Sequence, residues 1–168
     1  MNEQTQVLPS RVSAIGTLLV TYPRAFFVFS NGLTAREAAH FHRDERSFYC
    51  LHAMGEALAV GIGLAQARPR LPIVVVEGDG NALMGLAAWA MMPLDNLHYV
   101  VLDNGQFETT GGQSVPALPI LPAWCHRIAI AQGKADTPNP PHPESTWHAC
   151  RAWLKHPDDA LPLAEQGL

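Results

Sequence analysis

The chain has 168 residues, 48% of them apolar and 15% charged, and a formal net charge of −4. This is enough apolar length for one domain with a sizeable core, and the charge leaves no basic footprint for a nucleic acid. No apolar run reaches the ~18 residues of a membrane span, residues 1–11 lack a signal-peptide core, and the scattered Cys50, Cys125 and Cys150 suit a reducing, cytoplasmic setting.

Residues 1–9 are polar and are expected to fray. Residues 10–21 predict a helix capped by Ser10, with Val12, Ile15, Leu18 and Leu19 on one face. Tyr22-Pro23 ends it. The stretch AFFVFS at 25–30 predicts a first parallel strand, and Asn31-Gly32 turns at its carboxyl end. A helix follows to residue 41, with Thr34 as N-cap and Glu37 completing a capping box. Residues 42–47, HRDERS, read as a charged loop on a solvated face. Beyond Phe48, Gly55, Gly61 and Gly63 alternate with Ala57, Ala59 and Ala65. Such a small-residue helix can pack very closely on a sheet or on another subunit. A polar, proline-containing loop at 68–71 leads out of it.

The stretch 72–113 carries the chemistry. Ile73-Val74-Val75-Val76 is a short β-branched run of the kind buried on both faces of a parallel sheet. Gly78-Asp79-Gly80 follows directly, and its glycines allow a sharp turn and a close approach. Residues 82–92 predict a helix, ended by Pro93. Residues 97–102 predict a second strand, closed by Asp103-Asn104-Gly105. The unit is βαβ, which puts both strand ends on one edge of the sheet, where ligands of open parallel sheets bind. Asp79 and Asn104 would meet there. A carboxylate and an amide oxygen are hard ligands suited to Mg²⁺, and a helix starting just after Gly80 favours an anion. An ordinary turn with Asp79 as helix cap would explain a lone Gly-Asp-Gly. The Asn-Gly that closes the next strand at βαβ spacing favours a site for a metal and a diphosphate.

Beyond Val115 the character changes, and nine of the fourteen prolines lie between Pro116 and Pro162. This part reads as irregular, with 138–143 as a breaker and 147–155 as a short helix. The spacing of His142, His148, Cys150 and His156 fits no standard zinc site. The fold class expected is therefore α/β: a three-layer parallel sheet with helices on both faces, built from residues 1–115, and an irregular C-terminal part at 116–168.

Gly-Asp-Gly, two dozen residues and then Asn resembles the cofactor motif of thiamine diphosphate-dependent enzymes. Within them, SNGLTARE (30–37), FYCLHAMG (48–55), EGDGNALM (77–84), VLDNG (101–105) and TGGQ (110–113) resemble the phosphonopyruvate and sulfopyruvate decarboxylases. The resemblance covers roughly residues 11–115. It implies the thiamine diphosphate-binding fold, with Mg²⁺ held by the side chains of Asp79 and Asn104 and the carbonyl of Gln106. It implies that Asn31, Gly32, Thr34, Gly78, Gly80 and Asn81 hold the cofactor's diphosphate. Met54, with Ala53 beside it, would prop the cofactor between its two rings. His52-Ala53 stands where that family more often has Gly-Ser, so His52 could narrow the site or add a polar group to it. Glu108 is the second catalytic candidate, for substrate contact or proton transfer.

In that superfamily the activating glutamate comes from a separate pyrimidine-binding domain, which no stretch here resembles. The resemblance thus implies a subunit that shares its active site with a pyrimidine-binding, alpha-type partner chain in a hetero-oligomer. Its substrate would be a small 2-oxo acid of the phosphono- or sulfopyruvate kind, whose anionic group Arg36 or the partner would meet. Two alternatives stay open: a carboligase subunit like that of acetolactate synthase, and a cofactor-binding subunit that has lost catalysis.

Overall fold

The computed structural model describes residues 7–118 and 121–155. In chain order these form α1 (Arg11–Thr21), β1 (Phe26–Phe29), α2 (Leu33–Phe41), β2 (Ser47–Tyr49), α3 (Ala57–Ala67), β3 (Ile73–Gly78) and α4 (Asp79–Met84). A 3-10 helix (Leu86–Met91), β4 (Leu97–Asp103), β5 (Gln106–Phe107), β6 (Gln113–Ser114), β7 (Cys125–Ala129) and α5 (Pro143–Leu154) complete the described chain.

Five strands make one parallel sheet in the order β2-β1-β3-β4-β7. Alternation along the strands splits the core in two, because successive side chains point to opposite faces. Phe26, Val28, Ile73, Val75, Tyr99 and Val101 face α3 and α5. Phe27, Phe29, Val74, Val76, Val100 and Leu102 face α1 and α2. The chain leaves β1 in one direction along the sheet and β3 in the other. Between those two strands lies the switch point at which such sheets bind ligands.

The expected three-layer α/β fold is what the residues build, with four local corrections. Ser10 caps α1 through the Ser13 amide, as read, but α2 begins two residues earlier than the capping box requires. Its N-cap is Gly32 and has no capping side chain, while Thr34 and Glu37 are buried within the helix. Ser47 is a buried strand residue and not part of the solvated loop. The helix expected over 82–92 is broken. The six residues of α4 end at Gly85, and a 3-10 helix replaces the remaining turns. Gly85 sits against the Gly55 backbone, where a Cβ would come within 2.4 Å of the Gly55 carbonyl oxygen. Finally, the C-terminal part is not irregular throughout. β7 pairs with β4, and α5 packs on the core beside β2, with Trp153 against Phe26. Residues 1–6 and 156–168, which include the frayed start and His156, lie outside the described residues. Among the described residues no group of three metal-ligating side chains forms, and no helix is long and apolar enough to cross a membrane.

Candidate cofactor site

The carboxyl ends of β1, β3 and β4 converge on a cavity of about 100 Å³, lined by Asn31, Gly32, Leu33 and Thr34, by Gly78 to Asn81, and by Asn104, Gln106 and Glu108. Arg11, Met54, Met84, Phe107, Thr109 and Thr110 complete the wall. The strand ends are tied together first. Ser30, fully buried at the end of β1, accepts from the Gly78 amide at 3.4 Å.

Asp79 is 4% exposed. Its Oδ1 accepts from the Gly80 amide at 2.9 Å, and its Oδ2 from the Gly105 amide at 2.8 Å. Asp103 accepts from that same Gly105 amide at 3.0 Å and pairs with Arg127 at 2.5 Å. Burial, and then the Asp103 carboxylate beside it, push the Asp79 carboxyl up to about 6. A buried carboxylate held this way is stabilised in its charged form by a cation. Asn104 stands at the next strand end, with its Oδ1 turned back onto the Gln106 amide at 3.0 Å. One carboxylate, one amide oxygen and the adjoining Gln106 backbone form an all-oxygen donor set at adjacent strand ends. That chemistry suits a hard divalent ion, so the residues present fit Mg²⁺.

Two helix starts open onto the cavity, that of the six-residue α4 with Asp79, Gly80 and Asn81 and that of the longer α2 with Leu33 and Thr34, and neither has a capping side chain. Uncapped first-turn amides favour an anion. Gly32, with φ +97, adopts a conformation few other residues take. Gly80 has no room for a side chain, because a Cβ would lie 2.5 Å from the Phe107 ring.

Eleven of the thirteen expected site residues thus line the cavity, and some stand differently from expectation. His52 is exposed, with φ +59, and neither it nor Ala53 is among the lining residues. Ala53 packs against the core instead. Arg36 donates to the Thr137 carbonyl and lies off the cavity. Glu108 lines the cavity with both oxygens engaged, one by Arg11 and one by the Gly133 amide. Arg11, 6% exposed, also pairs with the buried Glu37 at 3.1 Å. The reading of the sequence missed Arg11. Its partners lie 26 and 97 positions away, so no local signal marks it.

A switch-point cavity with an acidic, all-oxygen corner and an uncapped helix start marks a doubly wound α/β domain with a ligand site at its strand ends. Residues 30–142, more than half of the chain, match the family described as "Thiamine pyrophosphate enzyme, C-terminal TPP binding domain". The chain belongs to this family. A phosphonopyruvate decarboxylase of Streptomyces hygroscopicus is 42% identical over 137 residues, which are 76% of this chain and 34% of that protein. The beta subunit of sulfopyruvate decarboxylase from Methanothermobacter thermautotrophicus is 36% identical over 106 residues, 61% of this chain and 57% of that subunit. This chain therefore spans from about a third to somewhat over half of these relatives. A solved 2-oxoglutarate:ferredoxin oxidoreductase from Magnetococcus marinus matches with a TM-score of 0.44 and 31% identity, over 54% of this chain and 31% of that one.

Proposed function

We propose that this chain is the thiamine diphosphate- and Mg²⁺-binding half of a 2-oxo acid decarboxylase, acting on a phosphonopyruvate- or sulfopyruvate-like substrate. The observation that carries the reading is the convergence of Asp79, Asn104 and Gln106 with the Gly32 and Gly78 turns on one cavity, in a member of this family. Asp79 and Asn104 would ligate the ion through their side chains and Gln106 through its carbonyl. The α2 amides, Thr34 and the two glycines flanking Asp79 would hold the diphosphate. When bound, thiamine diphosphate supplies the electron sink for loss of carbon dioxide from a 2-oxo acid. The relatives named as phosphonopyruvate and sulfopyruvate decarboxylases support that reaction class.

The active site would be shared with a pyrimidine-binding partner. A cavity of about 100 Å³ is well under the ~300 Å³ at which ligand pockets begin, so this chain encloses only one end of a cofactor. Met54 and Met84, 58% and 54% exposed, stand at its mouth, and Leu86 and Met91 on the neighbouring 3-10 helix are exposed as well. The beta-subunit names among the relatives fit the same division. The buried free thiols Cys50, Cys125 and Cys150 suit the reducing cytoplasm.

Calorimetric titration with thiamine diphosphate and Mg²⁺, with and without the candidate partner, tests this. Binding that is lost in Asp79→Ala is expected, followed by turnover of phosphonopyruvate or sulfopyruvate only with the partner present. No binding by the wild type in either setting would sink the cofactor reading. Product analysis separates decarboxylation from carboligation.

A further inference from the structure

The loop after β2 carries Met54 to the cavity mouth, and burial does little to hold it there. Met54 is 58% exposed, and His52 keeps a left-handed φ of +59 that only a well-tied backbone sustains in a non-glycine residue. The ties come from two asparagines and the close packing of Gly55. Asn81, in the first turn of α4, donates from Nδ2 to the Asn31 carbonyl at 3.1 Å and accepts at Oδ1 from the Gly55 amide at 3.0 Å. Asn31 accepts at its own Oδ1 from the His52 amide at 3.1 Å. Gly55, with φ +78, lies so close to α4 that a Cβ there would come within 2.8 Å of Met84. Both ends of the Asn81 amide are therefore spent on backbone.

We propose that Asn81 is a positioning residue that holds Met54 at the cavity through the Gly55 amide, instead of gripping the diphosphate itself. The inference rests on the reading above that the cavity takes thiamine diphosphate. Met54 lines the cavity with a flexible, unbranched side chain, so its place depends on where the backbone at Gly55 is fixed. If Asn81 acts chiefly through Gly55 and Met54, and not through the Asn31 carbonyl it also holds, its loss is felt where Met54 touches the cofactor. The ringed part of the cofactor should then be released while the diphosphate end is still held.

The test uses two probes, each with Mg²⁺: thiamine diphosphate, and inorganic pyrophosphate, which has no rings. Wild type, Asn81→Ala, Met54→Ala and the double variant are titrated with each, with and without the candidate partner. Asn81→Ala is expected to weaken thiamine diphosphate about tenfold and to leave pyrophosphate within about twofold. The double variant should bind no worse than Met54→Ala alone, since residues acting as one unit are not additive. Hydrogen exchange at the Gly55 amide should rise in Asn81→Ala. Parallel loss of both probes, or additive losses in the double variant, would overturn the inference and tie Asn81 to the diphosphate end, directly or through the Asn31 carbonyl it holds. Should Asn81→Ala fail to fold, Asn81→Ser and Gly85→Ala carry the same comparison, the second by displacing Gly55 from outside the cavity. A wild type that binds pyrophosphate but not the cofactor, or neither, overturns the cofactor reading itself and this inference with it.

Discussion

Glu77 immediately precedes the Gly-Asp-Gly turn and is fully buried. Tyr99 donates its hydroxyl to one carboxyl oxygen at 2.5 Å, and the first amides of α3, Ala57 and Leu58, offset part of its burial. Burial pushes the Glu77 carboxyl up to about 7. Burial therefore favours the neutral form in the folded chain. Glu77 thus contributes stability that is full below its ordinary value near 4.5 and is lost as pH rises through about 7. Melting of the free chain should therefore weaken from pH 5 to pH 8. Glu77→Gln should flatten that slope, matching wild type at pH 5 and exceeding it at pH 8. Asp79 shifts in the same direction, to about 6, so part of the slope should survive. An unchanged slope in the glutamine variant would remove Glu77 from the account. The thiols answer a second question at this scale. Burial pushes Cys50 up to about 12, and Cys125 and Cys150 up to about 11. Because the thiolate is the reactive form, a thiol reagent at pH 8 should label the native chain slowly and the urea-unfolded chain at all three cysteines. Fast labelling of the native chain would show that the cores covering them open readily.

Helix α3 shows how packing decides between chemically identical residues. Gly61 faces the sheet, where a Cβ would lie 2.2 Å from Val75 Cγ2, whereas Gly63 has nothing within 4 Å. Replacing an exposed helical glycine by alanine is worth ~0.5–1 kcal/mol, so Gly63→Ala should raise the melting temperature. Gly61→Ala gains the same propensity but forces α3 off β3, and overpacking of this kind costs ~1–3 kcal/mol, so it should lower it. Equal effects in the two variants would mean that α3 does not pack as described. That a small-residue helix would lie close to its neighbour was legible in the run of glycines and alanines. Which glycine makes the contact was not, because the answer depends on Val75 in another element. The broken helix after Met84 has the same cause at longer range. Residues 82–92 have good helix formers apart from Gly85, where the helix ends and the Gly55 backbone, some thirty positions earlier, packs against it. That the proposed metal ligands would lie together was legible for the opposite reason. Gly78, Asp79, Gly80 and Asn104 sit at the ends of two consecutive parallel strands, and βαβ geometry alone brings those ends together.

At the scale of the molecule, the part least legible in sequence completes the sheet. β7 hid because Cys125 to Ala129 is an edge strand with one buried side chain in five residues, so it lacks the apolar run that marked β3. Its pairing is nevertheless extensive. Tyr99 to Asp103 of β4 are matched in register by Cys125 to Ala129, and Ile130 donates onward to the Asp103 carbonyl at 2.9 Å. The segment that follows braces the cavity from outside, through the Gly133 amide on Glu108 and the Ala135 amide on Glu37 at 3.0 Å. Arg127 neutralises Asp103 next to Asp79. At the far edge, Cys150 of α5 donates to the Ser47 carbonyl of β2 at 3.1 Å. A chain ending at residue 115 keeps every expected metal ligand and loses all of these supports. It leaves the β4 edge open, and an uncovered apolar edge strand invites aggregation. Such a truncation should be insoluble or melt without cooperativity, and should bind neither Mg²⁺ nor thiamine diphosphate. If it instead gave a cooperative melt within a few degrees of the full chain, β7 and α5 would be additions to a finished domain. The site would then owe its geometry to the strand ends of β1, β3 and β4 alone.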